Sequence, residues 1–272
     1  MGDRDLRNLP PVHGVIRGLE GYPPSVAREA ARVTVEEARN RLLAGEACPT
    51  LEQAVAAAAD RADSFMASTM TSVINATGVV LHTALGRACL PDAAVENITR
   101  VATGYAVLQW DRQAGGRGHR DAHVEKLLTE ITGAEAATVA NNNAGASLLV
   151  LASLAAGREV VVSRGQLVEI GGAFRIPEVM RQSGCTMVEV GCTNRTHLED
   201  YREALSDRTA AIFRVHPSNY RIRGFSGEPS LAELVALGRE AGVPLIDDLG
   251  AGSLVNLEAF GLPAEPTVQQ SI

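Results

Sequence analysis

Four short apolar runs rich in β-branched residues recur through the second half of the chain: Glu159-Val160-Val161-Val162-Ser163, Met187-Val188-Glu189-Val190, Ala211-Ile212-Phe213-Arg214-Val215 and Val243-Pro244-Leu245-Ile246-Asp247-Asp248. A helix-length segment separates each from the next. Strands that are apolar almost throughout are buried on both faces, and the helices that cover those faces make neighbouring strands parallel. The spacing therefore predicts an α/β fold built on a mainly parallel sheet. Ligands of such sheets sit beyond the C-terminal ends of the strands. The segments at those ends, residues 141–147, 164–169, 193–195, 216–220 and 248–253, are polar and glycine-rich.

The first of them follows Ala136, Ala137, Val139 and Ala140, which read as a further buried strand. Asn141-Asn142-Asn143 and Ala144-Gly145-Ala146-Ser147 then open a helix. A helix start leaves backbone N–H groups unpaired at the positive end of its dipole, and small residues let a phosphate approach closely. A plain polar turn before a helix fits the same residues. At the other end of the segment list, Asp247-Asp248 closes a buried strand, which is costly unless a cation or several donors meet at least one carboxylate. Either acid can alternatively cap the next turn. A ligand that is anionic at one end and cationic at the other satisfies both features, and pyridoxal phosphate has that polarity. A nucleotide is the rival, but no G-x-x-x-x-G-K-[ST] or G-x-G-x-x-G follows the relevant strand.

Residues 1–71 read as a separate helical part, ahead of a large domain over 72–272. Arg7-Asn8-Leu9-Pro10-Pro11-Val12 is an extended lead-in. A helix is expected over residues 25–43, with Val26, Ala30, Val33 and Ala38 on one face, and Thr50-Leu51-Glu52-Gln53 has capping-box spacing. Through residue 70 there are 8 basic against 10 acidic residues, so this part is no basic arm. The whole chain has a net charge of −7, unlike a generally basic nucleic-acid binder, although a local arginine face can still grip phosphate. Four cysteines without a C-x-x-C pair and a charged N-terminus point to a reduced, cytoplasmic setting. The longest apolar run, residues 148–156, is too short for a membrane span. His119 and His123 stand four apart, but no third metal ligand accompanies them. Among 25 basic residues Lys126 is the single lysine, so chemistry that needs an amine has one candidate here.

The strings INATGVVLHTALGRA, GGRGHRD, VANNNAGA, VVVSRGQLVEIGGAFRIPEVMRQSG, TNRTH, SNYRIRGF, DLGAGSLVNLEAFGLP and RNLPPV together resemble the bacterial selenocysteine synthases, the L-seryl-tRNA(Sec) selenium transferases. The resemblance runs over nearly the whole chain. It implies a fold-type-I pyridoxal phosphate transferase domain behind a small helical N-terminal domain that contacts tRNA. It implies a cytoplasmic homo-oligomer with active sites between subunits, and conversion of seryl-tRNA(Sec) to selenocysteinyl-tRNA(Sec) by selenophosphate through an aminoacrylyl intermediate.

Carried over to this chain, the resemblance assigns Asn142, Asn143 and Ala144 to the cofactor phosphate and Asp248 to the ring nitrogen. Gln166 stands where related enzymes place a group over the ring, and where the family has Glu. Arg87, Arg117 and Arg120 become candidates for the selenophosphate or tRNA-terminal anion, and Asn219, with Arg87, for a catalytic or orienting role. The family's Schiff-base lysine is expected beyond Ile272, and Lys126 on its helix face does not replace it. On that reading the sequence is a fragment that is inactive by itself and leaves the middle of its sheet open. Two other readings remain: a non-catalytic cofactor- or tRNA-binding relative, and a fold-type-I enzyme acting on a free amino acid.

Overall fold

The computed structural model describes residues 6–170, 174–218, 220–250 and 252–272. The chain divides into two units, Met1–Thr99 and Arg100–Ile272.

In the first unit, α1 (Val12–Arg17), α2 (Pro24–Ala44) and α3 (Leu51–Met66) surround a core of small side chains. Pro24 opens α2 without losing a hydrogen bond, and Gly45 closes it at φ 101°. The expected capping box starts α3: Gln53 N–H donates to Thr50 Oγ1 at 3.2 Å, and Thr50 N–H to Gln53 Oε1 at 2.9 Å. The buried face of α2 is carried by Ala27, Ala30, Ala31, Thr34, Ala38 and Leu42, a rotation from the expected stripe. The alanines of α2 meet Ala54, Ala58 and Ala62 of α3, so helix backbones approach closely and Val26 packs only at the margin. The lead-in also differs from expectation. A 3₁₀ turn spans Leu6–Asn8, and α1 begins directly after Pro11, whose φ of −68° suits the position before a helix.

The helix α4 (Asp92–Ala102) leads into the second unit, followed by α5 (Glu125–Thr132) and α6 (Asn143–Ala155). Four strands then form the predicted parallel sheet: β1 (Glu159–Ser163), β2 (Thr186–Val190), β3 (Thr209–Val215) and β4 (Leu245–Asp248), in the order β2-β1-β3-β4. Alternate strand residues feed two cores. Val160, Val162 and Phe213 pack under Leu151 and Ala155 of α6 and Ile176 and Met180 of α7 (Ile176–Gln182). Val161 and Ile212 face the other way, towards Tyr201 of α8 (Leu198–Ala204) and Leu234 and Leu237 of α9 (Leu231–Ala241).

The fifth strand expected before Asn141 is absent. Residues 134–140 form no ladder with any described residue, and Ala136, Val139 and Ala140 are exposed. An apolar run becomes a strand only beside a neighbour that takes its N–H and C=O groups. Among the described residues β4 is an edge strand and nothing pairs beyond it.

Candidate functional site

The two acids that end β4 point to opposite faces of the sheet. Asp247 lies opposite Arg214 in the β3–β4 register, and Arg214 Nη1 sits 2.8 Å from its Oδ1. Ser271 of α10 (Val268–Ser271) donates to its Oδ2 at 2.6 Å. Asp247 is therefore neutralised within the protein. Asp248 is 7% exposed and held by neutral donors: the Asn143 amide at 2.8 Å, the Ser147 hydroxyl at 2.9 Å and the Gly250 N–H at 2.8 Å. No cation contacts it among the described residues. Three neutral donors satisfy its oxygens and supply no opposite charge.

The helix that supplies Asn143 and Ser147 also supplies an anion-binding end. Asn142 is the N-cap of α6, and its Oδ1 accepts the Gly145 N–H at 2.8 Å. The N–H groups of Asn143 and Ala144 have no acceptor within the helix. Asn143 and Ser147 are four residues apart and share a face, so both reach Asp248 and tie the helix start to the strand-end acid. The side chain of Asn143 is thus engaged by Asp248, and its backbone N–H is the group left to face a phosphate.

Gln166, in the turn Arg164–Gln166 after β1, is buried with both polar ends engaged: Val215 N–H donates to its Oε1 at 3.0 Å, and its Nε2 donates to Glu228 at 3.2 Å. Arg117 lies in a two-residue ribbon paired with Trp110–Asp111, and Arg120 donates to Gln109 at 3.1 Å. Both are exposed, and among the described residues neither bonds to Asn143, Ser147 or Asp248. Arg87 belongs to the first unit and is exposed; it is a non-glycine residue at φ 62°, with its N–H on the His82 carbonyl at 3.1 Å. Asn219 lies outside the described residues. Lys126 projects from α5 into solvent, 3.8 Å from Glu130. His123 Nε2 contacts the Leu108 carbonyl at 3.1 Å, and no metal-ligating cluster occurs among the described residues.

A cavity of about 390 Å³ opens beside this centre, at the ends of β1, β2 and β3. His216 joins the two: its N–H donates to the Asp248 carbonyl at 2.8 Å, and its ring, which faces Glu265 at 2.9 Å, lines the cavity. Tyr220, also on the wall, donates its hydroxyl to the Gly165 carbonyl. Burial first, then the Glu228 carboxylate, push its phenol up, which keeps it a protonated donor.

Sequence reasoning missed Ser147 and Arg214. The i,i+4 spacing from Asn143 pointed to the first, and a lone arginine inside an apolar strand to the second.

A parallel sheet whose strand-end acid is docked on a helix start is the architecture of the fold-type-I pyridoxal phosphate enzymes. The structure of D-glucosaminate-6-phosphate ammonia-lyase shares that fold, with a TM-score of 0.50 at 23% identity over 61% of this chain and 45% of its own. The family model of L-seryl-tRNA selenium transferase matches residues 73–272, and the chain belongs to that family. Proteins named L-seryl-tRNA(Sec) selenium transferase are 48% identical in Methylocella silvestris and 46% identical in Haemophilus ducreyi, each over 98% of this chain. A Moorella thermoacetica relative of the same name is 58% identical over 75% of the chain. The chain spans 58%, 60% and 44% of the lengths of these three curated relatives.

Proposed function

We propose that this chain carries the coenzyme-binding part of an L-seryl-tRNA(Sec) selenium transferase, which converts seryl-tRNA(Sec) to selenocysteinyl-tRNA(Sec) with selenophosphate as selenium donor. The observation that carries the reading is Asp248: a buried carboxylate with three neutral donors and, among the described residues, no counter-cation, against a helix start with unpaired N–H groups. These residues fit pyridoxal phosphate. The chemistry that coenzyme supplies when bound is an electron sink for the amino acid's α-carbon, which makes the serine hydroxyl a feasible leaving group.

The chain's own residues bind and orient. Asp248 would hold the ring nitrogen with its proton, which would strengthen the sink the coenzyme supplies. Asn143 and Ser147 fix the carboxylate so that it need not reorganise. The N–H groups of Asn143 and Ala144, with the Asn142 cap, take the phosphate. Gln166 acts by bracing the end of β3 against Glu228. Arg87, Arg117 and Arg120 remain the proposed anion contacts and Asn219 a proposed orienting group, within an oligomer whose sites form between subunits. The family name supports the tRNA substrate, and the N-terminal helices are the proposed contact for its body on the sequence resemblance.

Calorimetric titration of the chain with pyridoxal phosphate tests the centre. Asp248→Asn, which keeps the shape and removes the charge, is expected to weaken binding about tenfold or more, the worth of one charged hydrogen bond. Equal affinity in the variant would overturn the assignment. The substrate is tested by offering seryl-tRNA(Sec) and free serine in parallel with selenophosphate to a protein of the relatives' full length. Turnover of the free amino acid alone would refute it.

A further inference from the structure

We propose that the cavity beside Asp248 is the docking site for the single-stranded 3′ end of an RNA, with its phosphates on Arg195, Arg221 and Arg223 and a base stacked on Phe225. The proposal rests on the aminoacyl-tRNA reading above and adds the place where the acylated end enters. Arg195, Arg221 and Arg223 all line the cavity, and among the described residues none of the three guanidinium groups has an ion-pair or hydrogen-bond partner. Several other arginines of this unit are engaged, Arg164 with Glu189, Arg175 with Glu169, Arg202 with Glu240 and Arg214 with Asp247, whereas these three gather unpaired on one wall. The two acids on the cavity wall bond elsewhere, Glu228 to the neutral Gln166 amide and Glu265 to His216, and neither is ion-paired with the three guanidinium groups. Three arginines without an ion pair, outnumbering the two carboxylates of the same concavity, in a chain with net charge −7, call for an anion.

The form of that anion follows from the rest of the wall. A space of about 390 Å³ exceeds a single phosphate and suits a nucleotide. Phe225, between Arg223 and Ser226 of the rim, is 88% exposed, yet its backbone is tied down by the Asn194 side-chain amide on its carbonyl. An aromatic ring held out in water on an anchored backbone is a platform for stacking, and arginines interleaved with aromatics along Tyr220-Arg221-Ile222-Arg223-Gly224-Phe225 are the pattern by which single strands are gripped. His216 lies on the cavity wall and bonds through its N–H to the Asp248 carbonyl, so a terminal nucleotide here would leave its 3′ ester beside the acid centre.

The test is binding of a short unacylated single-stranded ribonucleotide ending in CCA to the 272-residue chain, followed by fluorescence anisotropy across a salt series. Inorganic phosphate is titrated as a competitor. The double variant Arg221→Ala/Arg223→Ala is expected to lose at least tenfold in affinity and to flatten the log–log salt slope by about 1.4, the release from two single-strand phosphates. Phe225→Ala is expected to lose about fivefold or more, while Phe225→Trp retains binding. Circular dichroism and pyridoxal phosphate affinity are expected to stay unchanged in all three, which separates this site from the acid centre: failure of RNA binding with coenzyme binding intact overturns only the docking proposal. RNA affinity equal in wild type and variants would refute it. So would full competition by inorganic phosphate with no effect of Phe225→Ala, a small-anion site, or a change of oligomeric state in Phe225→Ala without loss of RNA, a protein interface.

Discussion

Tyr201 shows what a single residue sets. It is the largest fully buried side chain, wedged between α8 and the sheet, and its hydroxyl has no well-formed hydrogen bond. Desolvation pushes its phenol up from 10.0 to about 12. A phenol that holds its proton more tightly when folded contributes stability that is complete below the unfolded value of about 10 and is lost as pH rises through the folded value. Urea melts are therefore expected to weaken progressively above pH of about 10, and Tyr201→Phe to remove most of that slope at little cost near neutrality, because the buried hydroxyl it deletes is poorly satisfied. An unchanged alkaline slope in the variant would show that other groups control it. Asp248 belongs to the same scale, since a carboxylate defined by three neutral donors depends on each of them. Ser147→Ala is expected to reduce pyridoxal phosphate affinity several-fold by calorimetry, less than loss of the charge itself.

At the scale of the element, the contact of α1 with α3 turns on Gly18. Its φ of −74° is open to any residue, so a substitution there is a matter of space alone. A Cβ would meet both γ-carbons of Val55 at 2.6 Å. Gly18→Ala is expected to destabilise the helical unit by about 1–3 kcal/mol, the usual penalty of overpacking, and Gly18→Ala/Val55→Ala to recover most of it in thermal melts. That contact was invisible in the sequence, where no local pattern joins Gly18 to Val55. The four strands were legible because β-branched runs buried on both faces have no other economical state, and the Thr50 capping box because its geometry is local. The segment before Asn141 misled for the converse reason: Ala136, Ala137, Val139 and Ala140 are apolar enough for a strand, but pairing depends on a neighbour that a local pattern does not reveal. Within the site, an acid at a strand end and a polar helix start announced themselves. The direct bond between Asn143 and Asp248 did not, because it joins residues 105 positions apart.

For the molecule as a whole, the exposed surface is the informative quantity. The chain exposes 18814 Å², whereas a compact monomer of 28.6 kDa exposes roughly 11,000 Å². Even two independent compact bodies sharing that mass would expose only about 14,000 Å². Ile74, Val80, Tyr105 and Phe225 are among the large apolar side chains in contact with water, and the open edge of β4 adds unpaired backbone groups. The 272-residue chain is expected to self-associate with rising concentration and to bind a hydrophobic dye; a monodisperse monomer in sedimentation velocity, with no dye signal, would contradict this. The opposed acids at the tip of β4 act against that background of loose edges. Inserting one residue ahead of the strand would set Ile246 opposite Arg214 and orphan a buried cation, and deleting one would drive Asp247 into the apolar layer that Ile246 now fills. Either slip strands a charge, which costs about 3–5 kcal/mol. The salt link on the opposite face thereby proofreads the alignment of the acid next to it.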